Sequence, residues 1–132
     1  MEAEIVTIGD ELLIGQVVDT NSAFIATELN KAGINVFQIT SIPDRKDRIV
    51  KALDDAKKNV QLVFITGGLG PTNDDITKYT LVEYFNSKLV RNEKVVDNIR
   101  RILENRAVSI NERNLKQADL PDNCEIIFNY FF

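Results

Sequence analysis

Gln61-Leu62-Val63-Phe64-Ile65-Thr66-Gly67-Gly68-Leu69-Gly70-Pro71-Thr72-Asn73-Asp74-Asp75 joins a short apolar run to a glycine-rich turn and then to two adjacent carboxylates. The run, 61–66, has the length and composition of a buried strand, and residues 76–85 carry Leu81, Val82 and Phe85 on a helical pattern. Upstream, residues 4–8 and 34–40 read as two more strands, separated by an amphipathic helix over 20–32 in which Ile25, Leu29 and Ala32 share a face. Asp19 or Thr20 suits the start of that helix and Gly33 its C′ position. A second crossover helix spans 45–58, with Ile49, Leu53 and Ala56 as its inward stripe. Strands alternating with helices in this way predict an α/β fold, a mainly parallel sheet covered by helices. Beyond it, residues 93–106 place Val95, Val96, Ile99, Ile102 and Leu103 at helical spacing. A short helix over 111–118, a turn at Leu120-Pro121-Asp122-Asn123 and a fourth strand over 124–128 complete the expectation.

The chain has 132 residues, 44% of them hydrophobic and 27% charged, with a net charge of -4. That composition predicts one domain over 1–132, with a core large enough to fold without disulfides. There is no histidine, which excludes Ser-His-Asp and Cys-His catalytic units and the usual His-bearing zinc sites. Cys124 is the only thiol, so neither an internal disulfide nor a cysteine metal cluster can form, and it reads as a small buried hydrophobe. The negative charge argues against nucleic acid as a partner, and the surplus of basic residues over 91–116 reads as a solvated helix face. No apolar run approaches the ~20 residues of a membrane span, and no apolar signal segment follows Met1, which together predict a cytoplasmic location.

In a doubly wound sheet the loops after parallel strands gather at one edge, where ligands bind. Here they are Gly9-Asp10-Glu11, Pro43-Asp44-Arg45 and the stretch from Gly67 to Asp75, so three separate segments each deliver a carboxylate to one rim. Gly67, Gly68, Gly70 and Thr72 suit a phosphate, because glycines let the backbone approach closely and offer N–H groups to an anion. The loop is neither a Walker A sequence, which needs a Lys, nor a dinucleotide fingerprint. A tight turn with helix packing explains such a loop as well. Asp74 and Asp75 fit a first helical turn, where the macrodipole stabilises acidic residues. Beside a phosphate they would repel it unless a divalent cation lay between, which points to magnesium or another hard cation held by Asp74 and Asp75. Taken singly, Asp10 reads as a turn residue and Asp44 as the N-cap of the helix from Arg45. Between Glu11 and Val18 lie Leu12, Leu13, Ile14, Val17 and Val18, too many apolar residues for open solvent. They either fold back over the sheet or meet another subunit, and the second is preferred.

The ordered set Gly9-Asp10-Glu11-Leu12-Leu13 with Gly15, Asp19-Thr20-Asn21, Thr66-Gly67-Gly68-Leu69-Gly70-Pro71-Thr72 with Asp74-Asp75-Ile76-Thr77, and Asn111-Glu112-Arg113-Asn114 with Gln117, Ala118 and Pro121 resembles the N-terminal domain of the CinA competence/damage-inducible family. That domain belongs to the molybdopterin-binding superfamily. The resemblance covers nearly the whole chain. It implies a three-layer αβα fold and a rim pocket for a nucleotide diphosphate or a phosphorylated pterin. It also implies catalytic aspartates at Asp44 and Asp75; from the convergence of the loops, Asp10 is expected to shape the phosphate- or nucleotide-binding pocket. The activity it implies is metal-dependent cleavage of ADP-ribose to AMP and ribose 5-phosphate. Adenylyl transfer in molybdenum cofactor biosynthesis is the alternative within the superfamily, and a non-catalytic nucleotide-binding or assembly module is the other. A homo-oligomer is expected. The family's Asn-x-x-Gly-Thr-Ala-Pro-Gly loop and C-terminal amide-hydrolysing domain have no counterpart after Asn129, which reads as truncation.

Overall fold

The computed structural model describes residues 1–68 and 76–128 and divides into two compact units, Met1–Thr80 and Leu81–Phe132.

The first unit is built on β1 (Glu2–Ile8), α1 (Asp10–Leu13), α2 (Thr20–Lys31), β2 (Asn35–Ile42), α3 (Lys46–Asn59) and β3 (Leu62–Gly67). The strands form a parallel sheet in the order β2-β1-β3. As the central strand, β1 is buried from Ala3 to Ile8, the pattern expected when both faces of a parallel sheet are covered. The crossover from β1 to β2 runs in one direction and that from β2 to β3 in the other, so right-handed connections put α2 and α3 on opposite faces. Helix, sheet and helix form three layers, as the sequence predicts. On the α2 face, Ala3, Ile5 and Leu29 make a core joined by Ile25, Ala26, Ile34, Val36, Leu62 and Phe64. On α3, Ile49, Ala52, Leu53 and Ala56 are buried at helical spacing. Burying an Ile or Leu side chain is worth roughly 1.5–3 kcal/mol, so these two stripes are what hold the helices to the sheet.

The ends of α2 show why the chain turns where it does. Asp19 is the N-cap and accepts the Ser22 N–H at 2.9 Å. At the other end Gly33 takes a φ of +75°, while its N–H donates to Asn30 and that of Ile34 donates to Leu29. This is a Schellman closure, and Ile34 packs against the Leu29 cluster as that motif requires.

A fourth helix, α4 (Ile76–Tyr84), buries Thr77 and Thr80. The second unit holds β4 (Leu89–Arg91), α5 (Glu93–Asn105), α6 (Glu112–Leu115), a 3-10 turn (Lys116–Ala118) and β5 (Asp119–Pro121). Asn92 caps α5 by accepting the Val95 N–H, and Asn111 and Asn114 cap α6 reciprocally. Strands β4 and β5 pair antiparallel, and Arg91 spans them, donating to Asp119 at 2.8 Å and to Glu112 at 3.1 Å. The Asp119 and Glu112 carboxylates hold the Arg91 guanidinium still more firmly charged than usual.

Four local expectations are corrected. Residues 124–128 are not a strand: they enter no strand ladder among the described residues, and Ile127 is 92% exposed. The pairing lies earlier, in β5, which takes Leu120 and Pro121 out of the predicted turn. Proline is tolerated there because an edge strand of two does not need its N–H. The helix expected over 111–118 breaks into α6 and the 3-10 turn. Cys124 is exposed rather than buried, its thiol directed to the Pro121 carbonyl.

Candidate functional site

The strand register decides which residues share the rim. Ile8 at the end of β1 lies opposite Ile42 of β2 and Gly67 of β3. Two residues past Ile8 stands Asp10, two past Ile42 stands Asp44, and directly after Gly67 stands Gly68. Asp10, Asp44 and the two glycines therefore leave the sheet at one edge, the carboxyl end of the parallel strands. The Gly9 N–H donates to the Ile42 carbonyl at 3.1 Å, tying the first two turns together.

The glycines are dictated by contact as well as conformation. Gly67 has a φ of +87° and Gly68 one of +64°, both in the left-handed region. A Cβ on Gly67 would collide with the Ile8 carbonyl oxygen, and one on Gly68 would collide with the Thr77 hydroxyl. At Gly9 a Cβ would meet the Glu11 carboxylate at 2.5 Å, so that side chain folds back over the first turn.

Asp10 is the first residue of the one-turn helix α1 and is exposed. Asp44 is half-buried and accepts the hydroxyl of Thr77 at 3.0 Å. It does not cap α3: the N-cap is Arg45, which makes no side-chain capping bond. The expected capping role of Asp44 is thereby replaced by a contact with α4, 33 residues further on. Gly70, Thr72, Asp74 and Asp75 lie outside the described residues. Among the described residues no three of His, Cys, Asp and Glu gather closely enough to hold a metal ion.

Two groups at the rim make contacts that the motifs do not specify. Thr77 is one; its signal was a small hydroxyl residue set three before Thr80 on a buried helix face. The other is the chain formed by Asp19, Thr7 and Ser41. Burial alone would push the Asp19 carboxyl up, but hydrogen bonds from Ser22, Thr7 and the Asn21 N–H outweigh it and hold Asp19 below the usual carboxylate value. Thr7, fully buried near the end of β1, is also 2.8 Å from the Ser41 hydroxyl. Asp19 thus caps α2, and the Thr7–Ser41 contact joins β1 to β2.

Of the five apolar residues after Glu11, only Leu12 is half-buried. Leu13, Ile14, Val17 and Val18 are all exposed, Val18 by 80%. Among the described residues no helix is long and apolar enough to cross a membrane.

The fold is a parallel αβα sheet with Asp10, Asp44 and Gly67–Gly68 at its carboxyl edge, the edge where ligands of open α/β sheets bind. Residues 4–123 match the family described as a probable molybdopterin binding domain. A CinA-like protein of Flavobacterium psychrophilum is 52% identical over 98% of this chain. The crystal structure of the protein CinA from Thermoplasma acidophilum superposes with a TM-score of 0.79 at 32% identity, over 98% of this chain and 75% of that one. The tungsten cofactor synthesizing protein MoaB from Pyrococcus furiosus gives a TM-score of 0.61 at 27% identity, over 79% of this chain and 63% of that one. The chain belongs to the molybdopterin-binding domain family, as a CinA-like member. It spans 31% of the length of the Flavobacterium relative.

Proposed function

We propose that this domain is a magnesium-dependent pyrophosphatase acting on a nucleotide diphosphate of the ADP-ribose type. The observation that carries the reading is the register that sends Asp10, Asp44 and Gly67–Gly68 off the same sheet edge. A chain without histidine offers oxygen donors there, and an all-oxygen donor set fits a hard cation. Asp74 and Asp75 are the residues proposed to hold it. When bound, the ion would polarise a phosphoryl group and make bound water a better nucleophile.

The chain's own residues have distinct tasks in this scheme. Gly67, Gly68, Gly70 and Thr72 are proposed to receive phosphate oxygens through their backbone N–H groups. Asp10 shapes the pocket mouth. Asp44 orients the attacking water and takes its proton, with Asp75 completing the catalytic pair. Water adds to one phosphorus, the bridging P–O bond breaks, and AMP and ribose 5-phosphate leave as two monoesters. The exposed apolar run between Leu13 and Val18 is read as the surface covered by a second copy of the chain. The test is incubation with ADP-ribose and magnesium, followed by quantitation of AMP. Asp75→Asn is the control, and AMP no higher than in that control removes the assignment.

Adenylyl transfer to molybdopterin is the second reading, favoured by the family match over residues 4–123 and by the likeness to MoaB. ATP consumption that appears only when the pterin is added would select it.

A further inference from the structure

We infer that Thr77 is a positioning residue that aims the Asp44 carboxylate across the end of β1 toward the glycine turn; this rests on the reading of Asp44 as a group acting on the substrate. Thr77 is fully buried on α4, and its Oγ1 donates to Oδ1 of Asp44 at 3.0 Å. Its position is set from the other side by Gly68, where a Cβ would occupy the space of that hydroxyl and would also press on the Ile8 side chain at 3.2 Å. The missing side chain of Gly68 is therefore what admits Thr77, and Thr77 in turn fixes Asp44. Three elements meet in one contact: the end of β1 through Ile8, the turn after β2 through Asp44 and the turn after β3 through Gly68.

The alternative for Asp44 was local, since an aspartate just before a helix usually caps it. Arg45 occupies the N-cap instead, and the Asp44 carboxylate is turned toward α4. A threonine hydroxyl both donates and accepts, so it can hold one carboxylate oxygen and leave the other directed elsewhere. The hydroxyl touches no reacting atom in this scheme; it acts through Asp44. A methyl group in its place keeps the volume but removes the donor, so the carboxylate loses its anchor while the helix face stays filled.

Thr77→Val and Thr77→Ser separate these effects. With ADP-ribose and magnesium, Thr77→Val is expected to lower kcat by about 100-fold, the size of effect that an ångström-scale misplacement produces. KM should stay within about twofold, because the loss falls on the transition state. Thr77→Ser restores the donor and is expected to recover kcat to within about threefold of the unaltered chain. Crystal structures of both variants give a readout independent of turnover: Asp44 turned away from α4 in Thr77→Val and held in place in Thr77→Ser. An unmoved Asp44 in Thr77→Val overturns the inference, as does a kcat equal to that of the unaltered chain. If the unaltered chain yields no AMP, the pyrophosphatase reading fails and the positioning role falls with it. Activity lost in Asp44→Asn but kept in Thr77→Val sinks only the role of Thr77.

Discussion

Gly67 sits opposite Ile8 so closely that a single added carbon would strike the Ile8 carbonyl oxygen. The glycine turn is thus pressed onto the central strand by backbone contact, and the rim's shape depends on it. Gly33 offers the comparison, since it has a similar φ of +75° but open space around its missing Cβ. Gly33→Ala is expected to cost about 1 kcal/mol, the penalty of a left-handed alanine. Gly67→Ala adds a backbone clash to the same penalty and should cost roughly 2–4 kcal/mol. Thermal or urea unfolding of the two variants decides it; equal losses would show that the Ile8 contact relaxes freely.

Asp19 links stability to acid. Its folded-state carboxyl lies below the ordinary value of 3.8, so the unfolded chain binds its proton first as pH falls. The stabilisation is complete above that ordinary value and is lost as pH falls through the lower folded one. Asp19→Ala should destabilise by about 1 kcal/mol at neutral pH, the usual worth of an N-cap. The gap between the two proteins should narrow below pH 3.8. A gap that stays constant through acid unfolding would show that the charged carboxylate is not what caps α2.

Asp10 and Asp44 should fail differently. Asp44→Asn removes the proposed proton acceptor and is expected to lower kcat for AMP formation by about 100-fold or more. Asp10→Asn alters an exposed carboxylate proposed to shape the pocket mouth and should act mainly on KM. Steady-state kinetics with ADP-ribose and magnesium distinguish the two, and an unaltered kcat in Asp44→Asn would contradict its role.

The apolar run before α2 predicts an assembly effect without a folding effect. Val17→Ser with Val18→Ser should leave unfolding within about 0.5 kcal/mol, because both side chains are already exposed. Sedimentation of the unaltered chain as a dimer or larger, with the variant as monomer, is the expected outcome. A monomeric unaltered chain would refute the proposed contact.

Much of the fold was legible from local pattern. The three parallel strands, the α3 stripe and the long α5 helix follow from hydrophobic periodicity. In α2, Ile25 and Leu29 pack on the core as the pattern predicts, but Ala32 is the exposed C-cap, and Gly33 announced the end of the helix because a left-handed cap favours glycine. Short pairings were not legible. Strands β4 and β5 are three residues each, and residues 124–128, though β-rich, join no strand ladder among the described residues. Strand propensity describes a surface that fits a sheet and does not supply the partner strand.

The site divides in the same way. The order of elements along the chain determined that Asp10, Asp44 and the glycines would follow parallel strands, and parallel strands end at one edge. Which neighbour each side chain then chose was decided only by the folded chain: Asp44 passed over the helix next to it for Thr77, and Thr7 of β1 met Ser41 of β2. Periodicity is set by residues a few positions apart, whereas a hydrogen bond across 33 positions exists only after the strands have set their register and the helices have packed.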